Sequence, residues 1–236
     1  MNFRCADLKL PGYFVIMKEN VTESTMGKKV IFFDVGYTLV CEDAVWATRC
    51  REQAEGAEAR ALGLTAEDIY QEIAAATIAH LPQYRTVVSK FGFTVPAPYR
   101  HELETLYPDA LEVLAALARR YRLGIIANQT DGLRQRLAAF GILSYFEPCA
   151  IISSWDWQII KPDLQLFTIA CAQAGCTPED AVMIGDRLDN DIAPAKAMGM
   201  KTIWIRQGFG GMQSPHSPNE EPDTAVDGLT ELLGLF

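Results

Sequence analysis

Positive charge and histidine are scarce in this chain. Its 236 residues carry 21 Lys and Arg against 30 Asp and Glu, a formal charge of −9, with 3 His. A nucleic-acid partner is therefore not expected, because binding a phosphate backbone needs clustered Lys and Arg. A small phosphorylated ligand stays possible, since its site needs only a local cation or two and a metal. Long apolar runs are also missing, and none approaches the ~20 residues of a membrane helix. The run nearest the start, Tyr13 to Met17, is too short for a signal-peptide core and ends at Lys18-Glu19. The expectation is a cytoplasmic protein with no membrane partner. Cys5, Cys41, Cys50, Cys149, Cys171 and Cys176 form no Cys-x-x-Cys pair, and His80, His101 and His216 do not stand at ligand spacing from them. That speaks against zinc and predicts reduced thiols that serve mostly as small core residues.

What the chain does have is apolar mass, 49% of its residues, enough for one large domain or a core plus a smaller module. Val30-Ile31-Phe32-Phe33 is unbroken, β-branched or aromatic, and reads as a strand buried on both faces. Asp34 follows at once, and Gly36 turns the chain. A second run, Ala181 to Ile184, ends in Gly185-Asp186 and continues to Asp191. Parallel, adjacent strands would bring Asp34 and Asp186 to one sheet edge, where open α/β folds put their chemistry. Two close carboxylates repel unless a cation lies between them, and oxygen ligands suit Mg²⁺. Plainer roles are open as well: Asp34 capping a turn, Asp191 capping the helix from Ile192, Lys161 a surface lysine before a helix.

On these residues the chain resembles the haloacid dehalogenase superfamily of hydrolases. The family's first motif, Asp-x-Asp-x-Thr, stands here as Asp34-Val35-Gly36-Tyr37-Thr38. Its third, a lysine often before proline, stands as Lys161-Pro162-Asp163, and its fourth, Gly-Asp-x-x-x-x-Asp, as Gly185, Asp186 and Asp191. The resemblance implies Mg²⁺ as cofactor and a small phosphorylated substrate. By position Asp34 is the nucleophile that forms an aspartyl-phosphate, which water cleaves. The metal would sit on Asp34, the Gly36 carbonyl and Asp186, with Asp191 in support, and Lys161 would neutralise nucleophile and phosphate.

Strands alternate with helices from Pro108 onward, so the fold class expected is α/β: a doubly wound, mostly parallel, Rossmann-like sheet. The core spans 26–40 and 108–236, and 1–25 is an N-terminal extension. Residues 41–107 form a small helical cap domain, with helices over Asp43 to Leu62, Thr65 to His80 and Pro82 to Phe91. In the family an insertion at this point closes over the site, excludes water and contacts substrate; His80, Gln83, Tyr84 and Arg85 are the polar candidates. Further on, Leu111, Leu114, Leu117 and Tyr121 share a helical stripe. Pro162 is placed to start a helix that turns Leu164, Phe167, Ala170 and Ala174 to the core.

Two positions depart from the family pattern. Gly36 stands where the phosphatases carry a second Asp as general acid, a function worth about 10²–10⁴-fold. Restoring Asp there is expected to raise turnover of alkyl phosphates. Ala127 stands where a Ser or Thr normally binds phosphate, leaving Asn128 and Thr130, with Thr38 of the first motif, as candidate substrate contacts. Three readings follow. One is a Mg²⁺-dependent phosphohydrolase whose acid is Tyr37, Glu42 or Asp43. Another is a hydrolase of carbon–halogen or carbon–phosphorus bonds, although the dehalogenases carry Tyr in place of Gly36 and need no Mg²⁺. The third is a non-catalytic protein that binds metal and phosphate, against which the joint retention of Asp34, Lys161, Asp186 and Asp191 weighs.

Overall fold

The computed structural model describes residues 29–236, so the extension expected over 1–25 lies outside the described residues. The chain runs β1 (Val30–Phe33), β2 (Val40–Cys41), then α1 (Asp43–Ala54), α2 (Ala57–Ala61), α3 (Ala66–Ile78) and α4 (Gln83–Phe91). After β3 (Thr105–Leu106) come α5 (Ala110–Ala118), β4 (Arg122–Ala127), α6 (Leu133–Ala139), β5 (Ile151–Ser153), α7 (Ser154–Trp157) and α8 (Leu164–Ala174). The chain ends through β6 (Ala181–Gly185), α9 (Ala193–Ala197), β7 (Lys201–Ile205) and β8 (Thr224–Val226).

One six-stranded sheet, ordered β5-β4-β1-β6-β7-β8, has every strand pair parallel. Successive side chains of a strand face opposite sides. Accordingly Ile31 and Phe33 join one apolar layer, under α5, α6 and the turn Leu229–Gly234, while Val30 and Phe32 join the other, under α8 and α9. All four are fully buried, which is why β1 reads as an unbroken apolar run. Each such side chain contributes about 1.5–3 kcal/mol on burial.

The buried helix faces differ in detail from the expected stripes. In α5 the inward residues are Ala110, Val113, Leu114 and Leu117, and Leu111 is 43% exposed. The segment ALEVLAALA is apolar almost all round, so hydrophobicity alone does not fix its rotation. In α8, Phe167, Ala170 and Ala174 face inward but Leu164 is 44% exposed. The helix starts at Leu164 with Asp163 as N-cap, its carboxylate accepting from the Gln165 amide at 2.9 Å, so Pro162 stands outside it.

Residues 43–91 are helical, in four helices. The segment expected as one helix from Asp43 to Leu62 breaks at Gly56, whose extended backbone (ψ 149°) starts α2. Thr65 and Asp68 close a capping box at the start of α3, worth about 1 kcal/mol. Where the chain leaves and re-enters the sheet domain, β2 and β3 pair antiparallel, so the stems of the insertion are strand rather than helix. The helices have an apolar cluster of their own, including Trp46, Ile69, Ile73, Tyr84, Val87 and Phe93, which Tyr37 and Phe209 enter from the sheet side. No helix among the described residues is long and apolar enough to cross a membrane.

Candidate active site

The in-register pairing of Phe33 with Ile184 sets Asp34 beside the end of β6. The Asp34 amide still donates to the Ile184 carbonyl at 2.9 Å, so the backbone is held in the ladder while its carboxylate leaves the sheet edge. Asp186 follows β6 directly. Asp191 ends up beside both because residues Leu188–Ile192 form a π-helical turn. Its carboxylate accepts from the Arg187 amide at 3.0 Å, bonding back along the chain rather than capping the helix from Ile192. It also lies against Gly185, where a Cβ would stand 2.4 Å from it. Oxygens of Asp34, Asp186 and Asp191 lie within 4.8 Å of one another.

Lys161 enters this cluster as a buried cation. Its Nζ donates to Asp34 Oδ1 and to Asp191 Oδ1, each at 2.5 Å, and to the Ile126 carbonyl at 3.1 Å. The plain surface role left open for this lysine does not apply. Asn128 fixes its backbone: Oδ1 accepts from the Lys161 amide at 2.7 Å, and Nδ2 donates to the Lys161 carbonyl at 3.1 Å. The side chain expected to contact phosphate is thus committed to the lysine that does reach the site.

Burial raises the Asp34 carboxyl to about 6, against the pull of Lys161 and helped by Asp191. Burial likewise holds Asp186 well above the usual carboxylate value, with Asp191 and Asp34 adding to it. Burial opposes the charge of Lys161, but Asp191 and Asp34 outweigh it and hold its pKa above the ordinary value. Three carboxylates thus face one ammonium, and the nearby Arg187 is engaged by Asp189 at 2.8 and 2.7 Å. The negative charge of the buried cluster exceeds what Lys161 offsets, and buried charge without compensation calls for a cation. Converging hard oxygens with a negative excess fit Mg²⁺, and the site passes that test.

Beside this cluster the loop after β1 carries Gly36, and Glu42 fills the volume a side chain there would need. A Cβ on Gly36 would stand 2.3 Å from Glu42 Oε1 and 2.9 Å from its Cδ. An Asp restored at position 36 would have to displace the tip of the Glu42 side chain, so the two carboxyls compete for one place. Trp46 Nε1 donates to Glu42 Oε2 at 3.0 Å, and Tyr99 also bonds this carboxyl. Burial raises it to about 7. The other two candidate acids engage each other: Tyr37, in left-handed backbone (φ 50°), donates its hydroxyl to Asp43 at 3.0 Å, and burial, with Asp43, pushes the phenol above its ordinary range.

The cleft holds about 130 Å³, small beside the ~300–1,000 Å³ of drug-sized sites. Asp34, Gly36, Lys161, Asp186, Asp191, Glu42, Asn128 and Gln83 border it. Thr38 and Thr130 do not. Thr38 is fully buried, with no hydrogen-bond partner for its hydroxyl among the described residues. Thr130 bonds His101 Nε2 at 2.7 Å, and His101 in turn meets Glu104 at 2.7 Å, tying the loop after β4 to the insertion stem. The Gln129 amide, a possible oxyanion donor, is given to Ser154 Oγ at 3.0 Å. Of the four cap candidates only Gln83 borders the cleft; Tyr84 sits in the helical cluster, Arg85 is exposed, and His80 meets Glu220 at 3.2 Å. Arg187 and Asn190 also line the cleft. The sequence reading passed over both, although they lie inside the Gly185-to-Asp191 motif it had marked.

A family model described as haloacid dehalogenase-like hydrolase matches residues 33–205. The chain is 32% identical over 130 residues to a phosphoserine phosphatase of Thermus thermophilus, covering 54% of this chain and 50% of that protein. It is 30% identical over 211 residues to a glyceraldehyde 3-phosphate phosphatase of Pyrococcus abyssi, covering 76% and 82%. The chain spans about half the length of several curated relatives that it matches. Among solved structures, a phosphatase from Thermococcus onnurineus superposes with a TM-score of 0.64 at 25% identity, over 88% of this chain and 97% of that one.

Proposed function

The chain belongs to the haloacid dehalogenase-like hydrolases, and on that premise we propose that it is a Mg²⁺-dependent phosphohydrolase of a small phosphorylated metabolite. The observation that carries this reading is the buried cluster of Asp34, Asp186 and Asp191 around Lys161 at one sheet edge. Similarity to phosphatases whose names specify phosphoserine and glyceraldehyde 3-phosphate supports the substrate class. Asp34, Asp186, Asp191 and the Gly36 carbonyl would hold the metal, which supplies charge neutralisation for an incoming phosphate.

Asp34 attacks phosphorus and forms an aspartyl-phosphate that water then cleaves. Its hydrogen bond to Lys161 orients it, and the ammonium offsets charge on the phosphoryl oxygens as the leaving group departs. Asp191 holds Lys161 on its other side, and Asn128 fixes the lysine's peptide, so the ammonium is preorganised. The helical insertion acts as the cap: Gln83 from α4 closes one wall of the cleft, and Arg187 reaches the Leu81 carbonyl across it at 3.5 Å. The intact, buried Asp186 and Asp191 favour this reading over carbon–halogen cleavage. The test is phosphate release from O-phosphoserine, glyceraldehyde 3-phosphate, pyrophosphate and related small esters, with Mg²⁺ and with chelator. Metal-dependent release that Asp34→Asn abolishes is expected; release that persists in the variant would refute the assignment.

A further inference from the structure

We propose that Glu42 is the leaving-group acid of this enzyme, its carboxyl occupying the space of the side chain that Gly36 lacks. The inference deepens the phosphohydrolase reading and rests on it. Its ground is position. A Cβ at residue 36 would stand 2.3 Å from Glu42 Oε1, so the Glu42 carboxyl occupies the place where a side chain of residue 36 would begin. One functional group, reached from a different point on the chain, takes the other's place.

The chain geometry explains the substitution. Residue 42 follows β2 and is the N-cap of α1, at the stem where the insertion begins. From there its side chain turns back over the loop after β1 and shares the cleft wall with Asp34 and Lys161. Trp46, one turn on in α1, holds Oε2 at 3.0 Å, leaving Oε1 as the oxygen nearest Gly36. Tyr37 and Asp43 are less suited, because the Tyr37 hydroxyl is donated to Asp43 at 3.0 Å and Asp43 is exposed, outside the cleft lining.

The proton balance is simple. In the first step the bond from phosphorus to Asp34 Oδ forms and the bond from phosphorus to the leaving oxygen breaks. The Glu42 carboxyl proton passes to that oxygen, releasing an alcohol. In the second step water attacks phosphorus, its proton returns to the Glu42 carboxylate, and inorganic phosphate leaves with Asp34 restored. An acyl or aryl phosphate, whose leaving anion is stable, has little need of that proton.

The experiment is a leaving-group series of alkyl, aryl and acyl phosphates with Mg²⁺, run on wild type, Glu42→Gln, Gly36→Asp and the double variant Gly36→Asp/Glu42→Ala. Glu42→Gln keeps an oxygen for the Trp46 bond and should lose about 10²–10⁴-fold on alkyl phosphates and far less on aryl and acyl phosphates. Gly36→Asp alone should not gain alkyl turnover, whereas the double variant should recover part of what Glu42→Gln loses, a rescue that a structural role for Glu42 would not produce. Equal loss across the series, or alkyl turnover unchanged in Glu42→Gln, overturns the assignment while leaving the phosphohydrolase reading in place. Wild type that releases no phosphate from any member overturns both.

Discussion

The sheet domain and the helical insertion are held together by different chemistry. The sheet's two apolar layers are largely aliphatic, and the described polar groups of catalytic type gather at the edge where β1 and β6 end. The insertion has an aromatic core with polar groups built into it. Arg49 stacks on Tyr84 at 3.5 Å, and Gln53 accepts from the Ala97 amide at 2.7 Å and also binds the Tyr84 hydroxyl. Phe209, from the loop after β7, closes that core against Trp46 at 5.7 Å, Tyr70 at 4.9 Å and Tyr37 at 6.0 Å. The difference suits each region to the task proposed for it. The sheet edge holds Asp34 in the strand ladder, while the insertion is docked by ring contacts, the β2–β3 pair and scattered polar bonds such as Thr130–His101 and Arg187–Leu81.

The largest effect should come from the rigid edge. Asp34→Asn should lower kcat by about 10⁴-fold or more, as loss of a catalytic group acting in a unit does, with the circular dichroism spectrum unchanged. Activity within tenfold of wild type would place the nucleophile elsewhere and dissolve the contrast at its root.

Next comes the joint between the regions. Phe209→Ala removes a ring that is 1% exposed and should cost about 3–5 kcal/mol. Hydrogen exchange should then quicken in α1, α3 and α4 while β1 and β6 stay protected. Exchange that rises equally in both regions would mean that they form one cooperative unit.

This contrast also explains what was legible beforehand. β1 and β6 stood out because a strand buried on both faces must be apolar throughout, and each ends in an aspartate. Lys161, Asp186 and Asp191 were legible through their spacing. Leu111 and Leu164 were misplaced because helices apolar on most sides do not reveal their rotation. Glu42 was one candidate acid among three, since its role depends on how the stem folds back over Gly36, a geometry that no local pattern encodes. Asn128 and Thr130 were read as phosphate contacts from neighbourhood alone; their actual partners, the Lys161 peptide and His101, are distant in sequence.

Removing one carboxylate from the edge tests the metal. Mg²⁺ at 100 times its Kd should stabilise wild type by about 2.7 kcal/mol, and Asp186→Asn should lose that response in a thermal melt. Because burial raises the folded-state pKa of Asp186 above its ordinary value of 3.8, ionising it opposes folding. That penalty is absent at pH below 3.8, where both states are protonated, and grows as pH climbs toward the folded value. Metal-free Asp186→Asn should therefore gain on metal-free wild type as pH rises from acid to neutral. An undiminished Mg²⁺ response in the variant would take Asp186 out of the metal site.

The smallest effect should come from the polar contact that spans the same joint. His80, in left-handed backbone at φ 56°, stacks its ring on His216 at 3.8 Å and places Nδ1 3.2 Å from Glu220. This pair bridges the end of α3 and the loop before β8, so it docks the lobe at a second point, away from Phe209. A single largely buried hydrogen-bonded contact of this kind contributes about 0.5–1.5 kcal/mol, so His80→Ala should lower the melting temperature by no more than about 6 °C. Turnover should change mainly through KM, because a loosened lobe binds substrate less well while Asp34 and Lys161 stay in place. If His80→Ala instead destabilised the lobe as much as Phe209→Ala, the polar contact would be the main fastening, and the aromatic cluster would be packing that follows docking rather than its cause.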